Sequence, residues 1–84
     1  MKDTLVLKSI LKVLARLDNV FLKEDTLAAE VEIATDRTLK VEEFRDSLNE
    51  LRDNGLVERD TSLLGEPTWH ITGKGLLAVR EGVR

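Results

Sequence analysis

The sequence predicts a mainly α fold with a small β-hairpin, an α+β chain in the order α-(β)-α-α-β-β-α. Three observations predict it. Apolar residues recur at helical spacing in four stretches. Asn54-Gly55-Leu56 has the form of a helix ending. Two short runs, Leu56–Arg59 and Thr68–Ile71, flank a loop that holds the only proline.

The first helix runs from Asp3 to Leu17, with Leu7, Ile10, Leu11, Leu14 and Leu17 on its apolar stripe. Asp3 or Thr4 can cap its start and Asn19 can end it. Val20, Phe21 and Leu22 read as a brief strand or as an apolar anchor before the next element, with the strand preferred. Asp25 or Thr26 can then cap a short second helix that turns Leu27, Ala28 and Val31 inward. From Ile33 to Lys40 the periodicity lapses into a polar connection. The third helix carries Val41, Phe44, Leu48 and Leu51 on one stripe, with Glu43 at a capping-box position and Leu39 and Phe44 spaced as a hydrophobic staple. Lys40 cannot accept a cap hydrogen bond, so the start lies there or at Thr38. The end is sharper: Gly55 suits the left-handed residue of a Schellman ending, with Leu56 folding back on Leu51.

In the hairpin, Trp69 and Ile71 alternate with Thr68 and His70, as in a strand buried on one face. Thr72 follows as the N-cap of a fourth helix containing Leu76, Leu77 and Val79. Gly73-Lys74-Gly75 lacks the spacing of a phosphate-binding loop, so these glycines are read as structure.

At 84 residues the chain is read as a single domain, 1–84, that buries roughly 60 to 65 % of its unfolded surface. It has no cysteine, and no apolar run long enough for a membrane span or a signal-peptide core. A cytoplasmic location, no membrane partner and no cofactor are expected. The net charge of −3 offers no global attraction to a polyanion, so any nucleic-acid contact must come from a local patch.

Two motifs resemble the winged helix-turn-helix domain of bacterial, archaeal or phage transcriptional regulators. Leu48-Asn-Glu-Leu-Arg-Asp-Asn-Gly-Leu-Val-Glu-Arg59 looks like the end of a recognition helix entering the first wing strand. Trp69-His-Ile-Thr-Gly-Lys-Gly75 looks like the returning strand, and Leu27-Ala-Ala-Glu-Val31 like the second helix of the motif. The resemblance covers nearly the whole chain. It implies a non-enzymatic DNA-binding regulator whose third helix enters the major groove of double-stranded DNA while the wing reaches a phosphate or the minor groove.

The residues depart from that pattern. The outward positions of the third helix are Glu42, Glu43, Asp46, Asn49, Glu50 and Asp53. Such a run of acids opposes phosphate and forfeits the counterion-release term. The stems of Arg45 and Arg52 are placed nearer the buried edge, their heads pairing with neighbouring acids. The wing loop, Asp60 to Pro67, has no basic residue and carries Leu63 and Leu64, which either meet a protein or fold back on the core. Arg37, Lys40, Arg45 and Asn49 are therefore the candidate DNA contacts. Glu42, Asp46, Glu50, Asp53, Leu63 and Leu64 form the candidate surface for another protein. Lys8, Lys12 and Arg16 follow one another on the polar face of the first helix, and Leu5, Val6 and Val13 supply further apolar positions there, the basis for expecting a weak homodimer through that helix. No catalytic or metal site is expected: His70 is the only histidine and sits on the solvent side of its strand, and the helical acids lie on a convex surface.

Overall fold

The computed structural model describes residues 4–17 and 20–81. The elements run α1 (Thr4–Arg16), β1 (Leu22–Lys23), α2 (Glu24–Thr35), α3 (Val41–Asp53), β2 (Val57–Thr61), β3 (Pro67–Ile71) and α4 (Gly73–Arg80), which is the predicted order. Asp3 and Asn19, proposed to cap the ends of the first helix, lie outside the described residues.

The core is built from one face of each helix and one face of the sheet. Val6, Ile10, Leu11, Val13 and Leu14 of α1 meet Leu27 and Val31 of α2, Phe44, Leu48 and Leu51 of α3, and Val57, Trp69 and Ile71 of the hairpin. Val6 and Val13, assigned to a second apolar set of α1, are buried in this core, whereas Leu17 is exposed. The stripe of α1 is thus rotated toward Val6 and Val13, since four elements pack around this helix and its apolar face must be broad.

Helix α2 starts before the Asp25 or Thr26 cap that the sequence suggests. Lys23 takes the N-cap position without a side-chain hydrogen bond, and Glu24 and Asp25 fall in the first turn, where carboxylates favour the helix dipole. The helix also persists to Thr35 and closes at Asp36, whose φ of 54° lets the Arg37 N–H donate to the Glu32 carbonyl at 3.2 Å. An aspartate performs the turn usually given to glycine, which is why the periodicity alone ends too early.

For α3 the N-cap is Lys40. The Leu39 N–H donates instead to the Glu32 carboxylate at 2.7 Å, so α2 supplies an anchor that the local sequence lacks. Val41, expected inward, is 64% exposed: it lies in the first turn, before the helix closes on the core. The Schellman ending forms as predicted. Gly55 has φ 75°, its N–H donates to the Arg52 carbonyl, and the Leu56 N–H donates to the Leu51 carbonyl, both at 2.9 Å.

The sheet has the order β1-β3-β2, all antiparallel. Leu22 of β1 pairs with Trp69, and Val57 of β2 pairs with Ile71. Val20 and Phe21 precede β1 and are exposed, with Phe21 stacked on the His70 ring at 4.6 Å. His70 is therefore half-buried under this lid, although its strand parity faces away from the core. The hairpin strands extend to Thr61 and from Pro67, so the tip is shorter than the predicted Asp60–Pro67 loop.

Thr72 caps α4 by accepting from the Gly75 N–H at 3.0 Å, and its hydroxyl donates to the Gly55 carbonyl at 2.7 Å. A Cβ on Gly75 would collide with the Leu56 carbonyl oxygen and come within 2.6 Å of Ile71 Cγ1. The glycine in this stretch is therefore there for close approach of α4 to the sheet. The same junction locks the end of α3 to the start of α4, with Lys74 donating to the Asn54 carbonyl at 2.9 Å.

Candidate nucleic-acid interface

The core side of α3 is Phe44, Ser47, Leu48 and Leu51. On helical spacing, Glu42, Asp46 and Asp53 point away from it, and Glu43 and Glu50 occupy one flank. The other flank is the i, i+4, i+7 set Arg45, Asn49 and Arg52. Both arginines are exposed rather than laid along the buried edge. The charge of this helix is thus divided lengthwise, a basic and amide stripe beside an acidic one.

Arg59 faces that stripe from the hairpin. Opposed residues on paired strands share a face, so Arg59, opposite Trp69, lies on the same side as Val57 and Ile71. Trp69 is covered, while Arg59 stands beyond the margin of the core. Arg45, Asn49, Arg52 and Arg59 then line one open groove of about 370 Å³, with Glu24, Pro67 and Trp69 completing its wall. Among the described residues neither Arg52 nor Arg59 forms a salt bridge.

Glu24 is the acid of this groove. Leu22 pairs with Trp69, so the chain enters α2 directly beside the indole. The Trp69 Nε1–H donates to Glu24 Oε1 at 3.2 Å, and the Arg45 Nε–H donates to Glu24 Oε2 at 2.9 Å. The Glu24 side chain is 16% exposed and that of Arg45 61%. One side chain thereby ties the wing strand, the second helix and the third helix together.

The structure brings together two of the four candidate DNA contacts, Arg45 and Asn49. Arg37 lies in a separate depression with Glu32, Ile33 and Asp36, and Lys40 caps α3 near the same turn. Of the candidate protein-contact residues, Glu42, Asp46 and Asp53 are exposed on α3 and Glu50 is half-buried. Leu63 and Leu64 do not fold back: they are 106% and 84% exposed at the hairpin tip. The tip is held by Ser62, whose N–H donates to the Glu66 carbonyl at 2.8 Å and whose carbonyl accepts from the Gly65 N–H at 2.9 Å.

Sequence reasoning passed over Arg52, Arg59 and Glu24 as members of one site. The seven-residue spacing of Arg45 and Arg52 and the two-residue spacing of Val57 and Arg59 were the available signals. Glu24 had none, because its role depends on the β1–β3 pairing. Among the described residues no group of three His, Cys, Asp or Glu side chains is placed to hold a metal, and no helix is long and apolar enough to cross a membrane.

The arrangement of α2 and α3 followed by the β2–β3 wing is a winged helix-turn-helix fold. Two solved structures are similar to it. A MarR-family transcriptional regulator from Silicibacter pomeroyi superposes with a TM-score of 0.74 at 19% identity, over 95% of this chain and 49% of that one. SSV1 F-93 superposes with a TM-score of 0.66 at 25% identity, over 89% of this chain and 79% of that one. The chain therefore spans about half the length of the MarR-family structure. No family model and no curated protein sequence matches it.

Proposed function

We propose that this domain is a transcription-related regulator that binds double-stranded DNA along the groove between α3 and the wing. The observation that carries the reading is the convergence of Arg45, Asn49, Arg52 and Arg59 on that groove while the acids of α3 point elsewhere. Arg52 and Arg59 supply phosphate contacts from opposite walls, and Asn49 presents an amide that suits adenine or a phosphate oxygen. Arg37 and Lys40 become outlying phosphate contacts at the start of α3. With a net charge of −3 the attraction is local, so affinity should be modest and strongly dependent on salt. The fold likeness to a named transcriptional regulator supports the same class, and the proposal takes residues 1–84 as one unit in a cytoplasmic setting.

A titration of labelled duplex DNA over a range of salt concentrations tests this. Replacing Arg52 or Arg59 with glutamine should weaken binding across all sequences and flatten the salt dependence by about 0.9 each. Equal loss on replacing Arg37 and Lys40, with none at Arg52 and Arg59, would move the interface to the turn before α3.

A second reading rests on the hairpin tip. Leu63 and Leu64 are fully in solvent, and Glu42, Asp46, Glu50 and Asp53 form an acidic surface, a combination that suits a protein with a basic and apolar face. Under this reading, neutralising Glu42, Asp46 and Glu50 abolishes partner capture and the unmodified domain shows no duplex binding.

A further inference from the structure

We infer that Glu24 is an internal counter-anion of the groove, occupying Arg45 in the free protein and limiting how much positive charge a bound polyanion can use. The inference rests on the duplex-binding reading of the same groove. Its basis is geometric. The Glu24 side chain is mostly buried, its carboxylate is shared between the Trp69 indole and the Arg45 guanidinium, and the residue lines the groove beside Arg52 and Arg59.

A carboxylate in this position does two things at once. It fixes Arg45 through the Nε–H, a bond that does not use the two terminal guanidinium nitrogens. It also cancels the charge that Arg45 would otherwise bring. Counterion release depends on the cations a protein contributes beyond those it has already paired, so a phosphate arriving at Arg45 must displace or share Glu24 and gains little. Arg52 and Arg59 carry the salt-dependent attraction, and Arg45 is held in reserve.

Trp69 makes the exchange visible. Its indole N–H bonds the same carboxylate, so a ligand that draws Arg45 from Glu24 alters the surroundings of the only tryptophan in the chain. Glutamine at position 24 retains an oxygen to accept from one of these donors and removes the charge.

The experiment uses the full chain and a labelled 20-base-pair duplex, titrated over salt with the unmodified protein, Glu24→Gln, Arg45→Gln and the double variant. Denaturation of each variant is measured alongside to confirm folding. The expected result is tighter binding by Glu24→Gln, on the order of tenfold near ~50 mM salt, and a salt slope steeper by about 0.9. Arg45→Gln should then weaken the Glu24→Gln protein more than it weakens the unmodified one, a non-additivity that a purely structural glutamate would not produce. Tryptophan emission of the unmodified protein should change on adding duplex, and the change should shrink in Glu24→Gln. An unchanged or flatter slope in Glu24→Gln, while Arg52 and Arg59 still govern binding, overturns the counter-anion role and leaves the groove intact. Absence of duplex binding in both the unmodified protein and Glu24→Gln overturns the groove reading along with it.

Discussion

Trp69 is the side chain on which the wing and the helices both depend. It is 2% exposed, it pairs with Leu22 and Arg59 across two strand partners, and its indole N–H is satisfied by Glu24. Trp69→Ala should cost about 3 to 5 kcal/mol, which in a domain this small approaches the whole stability. Urea denaturation checks it, and a loss below about 1 kcal/mol would place Trp69 outside the cooperative core. The two glycines of α4 make a sharper pair. Gly73 opens into free space, so Gly73→Ala should be neutral or slightly stabilising. At Gly75 the obstacle is a backbone oxygen that cannot swing aside, so Gly75→Ala should destabilise by about 1 to 3 kcal/mol. The reverse ranking in thermal denaturation would contradict the packing of α4 on the sheet.

Among the elements, what could be read in the sequence was what local chemistry decides. Thr72 as a cap, Gly55 as a left-handed helix ending, and Trp69 with Ile71 on one strand face all act within a few residues, and each is found as predicted. The misses share a different cause. Val41, expected inward, is exposed in the first turn of α3, and the start of that helix, left open between Lys40 and Thr38, is at Lys40 beside the Leu39 N–H that Glu32 anchors from another helix. Likewise Asp36 closes α2 in a conformation that its residue type does not advertise. The candidate site follows the same division. Arg45 and Asn49 were legible from helical spacing, whereas Arg59 and Glu24 join them only through strand pairing. The hairpin tip offers a test at this scale. Leu63→Ser with Leu64→Ser should leave stability within about 0.5 kcal/mol, since neither side chain touches the core. A larger loss would mean that the tip folds back on the domain.

For the whole molecule, the governing fact is that charge is segregated although the total is acidic. The basic stripe of α3 and Arg59 face one groove, the acids of α3 lie outside it, and Lys8, Lys12 and Arg16 lie on α1. Self-association through α1 has less surface than the sequence suggests, because burial of Val6 and Val13 leaves Leu5 and Leu17 as the exposed apolar residues there. That falls well short of the roughly 800 Å² per partner of a stable interface. Sedimentation should therefore show a monomer at low micromolar concentration and a reversible dimer only at high micromolar concentration. A dimer that survives dilution to nanomolar would require a larger interface.

The groove between α3 and the wing is the face proposed to meet DNA. Backbone amide shifts of the isotope-labelled protein, followed by NMR during addition of a short duplex, test it most directly. Shifts should be concentrated at Arg45 to Arg52 and at Val57 to Thr61 and should diminish as salt is raised. Shifts confined to α1 around Lys8, Lys12 and Arg16, or no shifts at low salt, would contradict it.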